Sequence, residues 1–230
     1  IQARMGSTRL PGKVLMGGNG RTLLAYQLDR ISKSKKLNKV VIATSTLEKD
    51  DVIEAFCKDY GVDCYRGSEN DVMSRYYECA KKYNPDTVVR MTADCPLIDP
   101  EIIDKVVQKF KDNNVDYCAN TVPPETSKFP DGSDIEVFSM SALECAHREA
   151  KDAHYREHVT FQFWQDERYT SSQYTKVKDW SNYRITVDYP EDFEVVNYIF
   201  DELKAKSIFG SLAEIIKIID NNQEIKEKNS

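Results

Sequence analysis

Val40-Val41-Ile42-Ala43-Thr44-Ser45-Thr46 is the stretch on which the fold turns. A short β-branched run bounded by Lys39 and by three hydroxyl residues has the pattern of a buried strand that ends in a polar turn. Val52, Ile53 and Phe56 then recur at helical spacing over 49–59, with Gly61 as the stop, and a second short strand follows over 62–65. The rhythm repeats. Asp71 caps a helix that runs to Tyr83 and ends at Asn84-Pro85. Thr87-Val88-Val89-Arg90-Met91 is a further strand, and Pro100 opens a helix through Phe110 with Ile102, Ile103, Val106 and Val107 on one face. Strand-then-helix units of this length predict an α/β fold, a mostly parallel sheet flanked by helices.

Past residue 115 the pattern becomes less regular. Strands are expected over 116–120 and 134–138, separated by a Pro-containing loop over 122–132, and helices over 139–150 and 153–166. Two more strands near 171–177 and 183–188 lead into a helix after Pro190, and a Lys/Glu-rich amphipathic helix covers about 211–228. No linker, repeat or low-complexity stretch divides the chain, so residues 1–230 read as a single domain. Only Ile1 and Gln2 precede the first loop, where a sheet of this kind needs a full strand, so we expect several apolar residues of that strand to precede Ile1.

The 230 residues carry 32 Lys+Arg against 38 Asp+Glu, a net charge of -6, with 40% hydrophobic residues. That is apolar enough for a substantial core and too acidic for a dedicated nucleic-acid or anionic-membrane binder. No apolar run approaches the ~20 residues that span a bilayer. Six cysteines (Cys57, Cys64, Cys79, Cys95, Cys118, Cys145) lie far apart with no C-x-x-C pair. The expectation is reduced, buried thiols in a cytoplasmic protein. Charge is unevenly placed: residues 1–30 hold five cations against Asp29, a net of +4, which leaves -10 for the remaining 200.

Three segments carry chemistry. Ala3-Arg4-Met5-Gly6-Ser7-Thr8-Arg9-Leu10-Pro11-Gly12-Lys13 joins three cations and two glycines with no acid, a plausible cradle for a polyphosphate. It is not a P-loop, because five residues separate Gly6 from Gly12 and Val14 stands where Ser or Thr would hold magnesium. Asp94 follows the strand ending at Met91, and Asp188 follows an alternating stretch from Tyr183 to Val187. In open α/β sheets ligands bind along the strand ends. Two carboxylates there suit a hard cation such as Mg²⁺, while Arg4, Arg9 and Lys13 neutralise phosphates. That set suits attack on a nucleotide phosphorus with pyrophosphate leaving.

The segment from Ile1 to Leu15 resembles the signature of cytidylyltransferases related to CMP-Kdo synthetase, and within them the spore coat polysaccharide biosynthesis protein F branch. The likeness continues through Thr92-Ala93-Asp94-Cys95-Pro96-Leu97-Ile98, Pro130-Asp131-Gly132 to Phe138, Arg156-Glu157-His158-Val159-Thr160 and Thr186-Val187-Asp188-Tyr189-Pro190. The resemblance implies a GT-A-like nucleotide-diphosphosugar transferase fold, with a nucleotide-binding half over about 1–115 and an acceptor half over about 116–230. It implies Mg²⁺-dependent transfer of CMP from CTP to a sugar, sugar acid or related acceptor, in surface-polysaccharide or glycan synthesis, by a homodimer. By the same resemblance Arg4, Lys13 and Asp94 are catalytic, and Asp94 and Asp188 hold the metal. Arg4 and Lys13, helped by Arg9, bind the triphosphate, Ala3, Gly6 and Thr92 also fall at the nucleotide, and Thr44, Ser45, Ser68, Asp71 and Arg75 surround the base. Asp131, Asp134, Glu136, Arg156, Glu157 and His158 fall at the acceptor. Ala93 departs from the Gly-Asp-x-Pro block of CMP-Kdo synthetases, and the acceptor half matches the sugar-acid enzymes less closely.

His154-Tyr155-Arg156-Glu157-His158 fits an H-x-x-E-H zinc pattern, but five residues with no third ligand are weak support for zinc. Phe161, Phe163 and Trp164 are read as core. The competing functions are a GT-A glycosyltransferase, which would use a nucleotide-sugar and for which the chain lacks an Asp-x-Asp motif, and a non-catalytic nucleotide-binding protein.

Overall fold

The computed structural model of the chain describes residues 1–18 and 20–229. After a two-residue hairpin of β1 (Gly17–Gly18) and β2 (Arg21–Thr22) comes α1 (Leu23–Ile31), a helix the sequence reading did not foresee. Its capping Thr22 hydroxyl accepts from Ala25 N. The decisive strand is β3 (Val41–Ser45), which pairs in parallel with β4 (Asp63–Gly67) across α2 (Asp51–Tyr60). On its other edge β3 takes the chain start: Gln2 bridges both Ala43 and Thr92 in parallel. Ala3 N donates to Ala43 O at 3.2 Å and Ala93 N to Gln2 O at 3.0 Å, so residues 1–3 lie in mid-sheet.

Next come α3 (Val72–Tyr83), β5 (Thr87–Arg90) and α4 (Pro100–Asn113). The Asp71 carboxylate caps α3 at Ser74 N, and Asp99 caps α4 ahead of Pro100, as their side-chain chemistry predicts. The second half supplies β6 (Tyr117–Ala119), β7 (Glu136–Ser139) and β8 (Ser171–Gln173), in the order β5-β7-β6-β8. β7 runs antiparallel to both neighbours, whereas β8 is parallel to β6. The sheet is therefore parallel where the nucleotide half was expected and carries one reversed strand beyond it.

Successive residues of a strand face opposite sides, and the core divides accordingly. Val137 and Cys118 pack with α1, α4, α8 (Pro190–Ala205), α9 (Leu212–Asp220) and α10 (Gln223–Lys228). Phe138 and Tyr117 pack with α3, α5 (Met140–Glu149) and Phe163 of α7 (Phe161–Gln165). Helices thus cover both faces. The helix expected over 153–166 is broken into α6 (Ala153–His158) and α7, because Val159 takes φ 53°. Residues 183–188 form no regular strand. Ile185 N bonds to Asp131 O and Val187 N to Asp94 O, so alternate residues serve two different loops. The final helix is likewise two, with Asn222 capping α10 at Ile225 N.

Gly132 sits at φ 92°, and a Cβ there would overlap the backbone at Ile185 and Thr186. Backbone cannot yield as a flexible side chain can. Gly132→Ala is expected to destabilise the chain by roughly 3 kcal/mol and to separate the loop from residues 184–188. Chemical denaturation measures the loss, and a change under 1 kcal/mol would contradict it. All six cysteines are unpaired, three buried and three partly so. No helix among the described residues is long and apolar enough to cross a membrane.

Candidate active site

The cationic loop is closed on itself before it reaches the site. Gly12 N donates to Met5 O at 3.0 Å, and Gly12 turns the chain at φ 74°, where glycine carries no Cβ penalty. That turn delivers Lys13 inward. Its side chain is buried, and Nζ lies 2.8 Å from Asp94 Oδ2 and 2.8 Å from Asp188 Oδ1. The aspartates, 94 residues apart in sequence, are brought together by backbone: Val187 N donates to Asp94 O at 2.9 Å, and the Thr186 hydroxyl to the same oxygen at 3.3 Å.

Burial opposes the Lys13 ammonium, yet the carboxylates of Asp94 and Asp188 outweigh it and hold its pKa above the ordinary value. Burial likewise pushes Asp94 up, but the Lys13 charge prevails and keeps the carboxyl below its usual range. Arg9 adds a contact of 2.6 Å to Asp188 Oδ1, and its guanidinium lies over the Tyr189 ring. Arg9 and Arg4 are half exposed, at 50% and 46%, so they remain free to reorient toward a ligand.

Beside the aspartates opens a cavity of about 240 Å³. Thr92, Asp94, Asp188, Asp131, Asp134 and Glu136 line it, with Arg9, Arg90 and Phe161. Glu136 is committed: it pairs with Arg90 and accepts the Tyr117 hydroxyl at 2.7 Å. Asp131 pairs with Arg184 at 2.6 Å. Asp134 accepts from the Thr121 hydroxyl and from Gly132 N but forms no ion pair among the described residues. Burial pushes its pKa up to about 6, and the neighbouring Asp131 and Glu136 charges add to the rise. Phe161, read as core, is instead a wall of this cavity, whereas Phe163 is buried as expected.

Other sequence candidates lie elsewhere. Asp71 and Arg156 pair with each other at 2.6 Å, and Arg156 also bonds to the carbonyls of His147 and Ala150. The His158 ring stacks on Phe161 from behind, and Glu157 is exposed. On the far side of the loop, Ala3, Thr44 and Ser45 are buried at the end of β3, with Arg75 buried and donating to Ser68 O at 2.5 Å. Gly6 lies against Lys49, which pairs with Glu69 at 3.0 Å, while Arg4 reaches Glu69 at 4.0 Å. Arg90, Arg184 and Asp192 also serve the site, pairing with Glu136, with Asp131 and with the Asp188 backbone, although the sequence pattern does not single them out. Asp192 had a signal, as the third residue of a Pro-opened helix: its carboxylate accepts from Asp188 N at 2.8 Å and so fixes that residue's backbone.

Among the described residues no group of three or more His, Cys, Asp or Glu could hold a metal ion. Mg²⁺ does not need one, because it is commonly held by one or two carboxylates with phosphate oxygens and waters. Asp94 and Asp188 already share one cationic partner, Lys13 Nζ. This hard-oxygen pair fits the ion.

A helix-flanked sheet with a cationic loop and two aspartates that meet on the buried lysine of that loop is a nucleotidyltransferase-like α/β fold. A cytidylyltransferase from Leptospira borgpetersenii serovar Hardjo-bovis superposes with a TM-score of 0.92 at 36% identity, covering 100% of this chain and 95% of that one. CMP:2-keto-3-deoxy-manno-octonic acid synthetase, solved with CTP, shares the fold at a TM-score of 0.64 and 16% identity, covering 90% of this chain and 97% of that one. Spore coat polysaccharide biosynthesis protein SpsF of Bacillus subtilis is 32% identical over 230 residues, 96% of this chain and 93% of the relative. A family model described as Cytidylyltransferase matches residues 1–228. The chain belongs to the cytidylyltransferase family and is a nucleotidyltransferase.

Proposed function

We propose that the chain transfers the cytidylyl group of CTP to a sugar-like acceptor and releases pyrophosphate, with Mg²⁺ as cofactor, in the synthesis of a surface polysaccharide or glycan. The observation that carries this reading is the meeting of Asp94 and Asp188 on buried Lys13, at the foot of a cationic loop and at the mouth of a polar cavity. The relatives' names support the chemistry, and SpsF supports the polysaccharide context.

In this mechanism the triphosphate lies along residues 3–13. Lys13 donates to its oxygens from a fixed position, while Arg4 and Arg9 swing onto it from the exposed side. Asp94 and Asp188 would hold Mg²⁺, which supplies charge stabilisation at the phosphates and makes an acceptor hydroxyl easier to deprotonate. Ala3, Gly6, Thr44, Ser45, Ser68 and Arg75 form the nucleoside side. The cavity receives the acceptor, with Asp131 and Asp134 accepting its hydroxyl hydrogens and Glu136, held by Arg90 and Tyr117, forming the charged wall behind them. Asp71 and Arg156 hold α3 to α6, and His158 supports Phe161.

The test is pyrophosphate release from each of the four nucleoside triphosphates with a panel of sugars, sugar phosphates and sugar acids. CTP is expected to exceed the others by at least tenfold, and EDTA to abolish the signal until Mg²⁺ is restored. Preference for another base would overturn the cytidylyl assignment. Release of a nucleotide from a nucleotide-sugar, without pyrophosphate, would replace transfer from CTP by glycosyl transfer.

A further inference from the structure

Asp50 is fully buried, yet no ion pair reaches it among the described residues. A buried carboxylate is costly unless hydrogen bonds compensate it, so its partners indicate what it is kept for. One oxygen, Oδ1, accepts from Met5 N at 2.7 Å; the other, Oδ2, accepts the Ser45 hydroxyl. Ser45 Oγ in turn accepts from Leu47 N at 3.1 Å, which fixes the turn that follows β3.

Met5 is the residue at which the cationic loop leaves the sheet. Its carbonyl accepts from Gly12 N, which closes the loop one residue before Lys13. The two peptide groups flanking Met5 are therefore held from both sides, by Asp50 at the N–H and by Gly12 at the C=O. Lys49, from the same turn as Asp50, fills the space a Cβ on Gly6 would need. Among the described residues no other side chain accepts from Met5 N. A carboxylate suits the position because both of its oxygens accept, matching two donors that converge from different segments.

We propose that Asp50 is a positioning residue: anchored to β3 through Ser45, it holds the Met5 N–H and so fixes the loop over 3–13, and Lys13 with it, in register for the triphosphate. The inference rests on the reading of that loop as the triphosphate site. Asp50 itself touches no substrate in this scheme.

The test uses Asp50→Ala, Asp50→Asn and Ser45→Ala in the full chain. Amide hydrogen exchange over 3–13 is measured without nucleotide, and CTP affinity is measured by calorimetry in the presence of Mg²⁺. Asp50→Ala is expected to raise loop exchange by tenfold or more and to weaken CTP by about 10- to 100-fold, with KM rising more than kcat falls. Asp50→Asn keeps an acceptor for Met5 N and can turn its amide toward Ser45 Oγ, so it is expected to stay within about threefold of wild type. If Asp50→Ala does not fold, Ser45→Ala decides, with an expected loosening of at least threefold over the same loop. Wild-type loop exchange in Asp50→Ala, or in Ser45→Ala where that variant decides, overturns the inference. A loosened loop in a protein whose wild type fails to bind CTP overturns the functional reading and leaves Asp50 as the fastener of the loop.

Discussion

Replacement of Lys13 by alanine is expected to slow pyrophosphate formation from CTP by a factor of about 10³, roughly 4 kcal/mol of transition-state stabilisation. Arg4 and Arg9 are half exposed and exchangeable with solvent, but the Lys13 side chain is 9% exposed and fixed at 2.8 Å from two carboxylates. A preorganised cation in a partly water-excluded site loses little by reorganisation when charge shifts toward the leaving phosphate. Lys13→Arg is expected to fail nearly as badly, because a planar guanidinium cannot occupy a slot shaped for one nitrogen between two oxygens. The alanine variant also leaves Asp94 and Asp188 facing each other with their central cation gone, and removing one partner of a largely buried pair is destabilising. Its melting temperature should fall, and Mg²⁺ should restore more of it than in wild type. Without Lys13 the burial of Asp94 is no longer outweighed, so its carboxyl should titrate above the usual range where the wild-type group titrates below it. A coupled pyrophosphate assay and carboxyl-detected NMR titration measure both effects; activity within tenfold of wild type would remove Lys13 from the mechanism.

The parts of this site that were legible in sequence are those with a local signature. The loop over 3–13 announces itself by three cations, two glycines and no acid, and Asp94 by its place after a β-branched strand. What joins them is not local. Lys13 meets Asp94 across 81 positions and Asp188 across 175, through backbone bonds from Val187 to Asp94 that no periodicity encodes. The same limit explains the misread elements. Residues 183–188 alternate like a strand because Ile185 and Val187 are buried, but their N–H groups go to two loops rather than to a ladder. The stretch over 153–166 is apolar enough for one helix, and only the tertiary seat of buried Val159 turns the chain at φ 53°. Phe161 looked like core because an aromatic residue carries no mark of which wall it faces. Asp50 was hidden inside an amphipathic helical pattern, where one more acid among Glu48, Asp51 and Glu54 draws no notice.

Asp94→Asn and Asp188→Asn are each expected to reduce turnover by about 10³ and to shift the Mg²⁺ concentration for half-maximal activity upward by at least tenfold, since an amide oxygen is a far weaker ligand for a hard cation than a carboxylate. The two should not be identical. Among the described residues Asp94 makes a direct ion pair with Lys13 alone, whereas Asp188 holds Lys13 and Arg9 and lies 3.9 Å from Arg184. Neutralising Asp188 therefore frees a second cation and should disturb nucleotide affinity as well as metal affinity, while Asp94→Asn should act chiefly through the metal. The double variant Lys13→Ala/Asp94→Asn gives the sharpest reading. Lys13→Ala leaves Asp94 and Asp188 without their shared cation, and Asp94→Asn leaves Lys13 with Asp188 alone; the double change loses the Lys13–Asp94 contact only once, so its cost should fall short of the sum of the two. Additive losses would mean that the 2.8 Å contact between Lys13 and Asp94 carries no coupling. An unchanged Mg²⁺ titration in both asparagine variants would mean that these aspartates do not hold the ion, and the charge at the phosphates would then rest on Lys13, Arg4 and Arg9 alone.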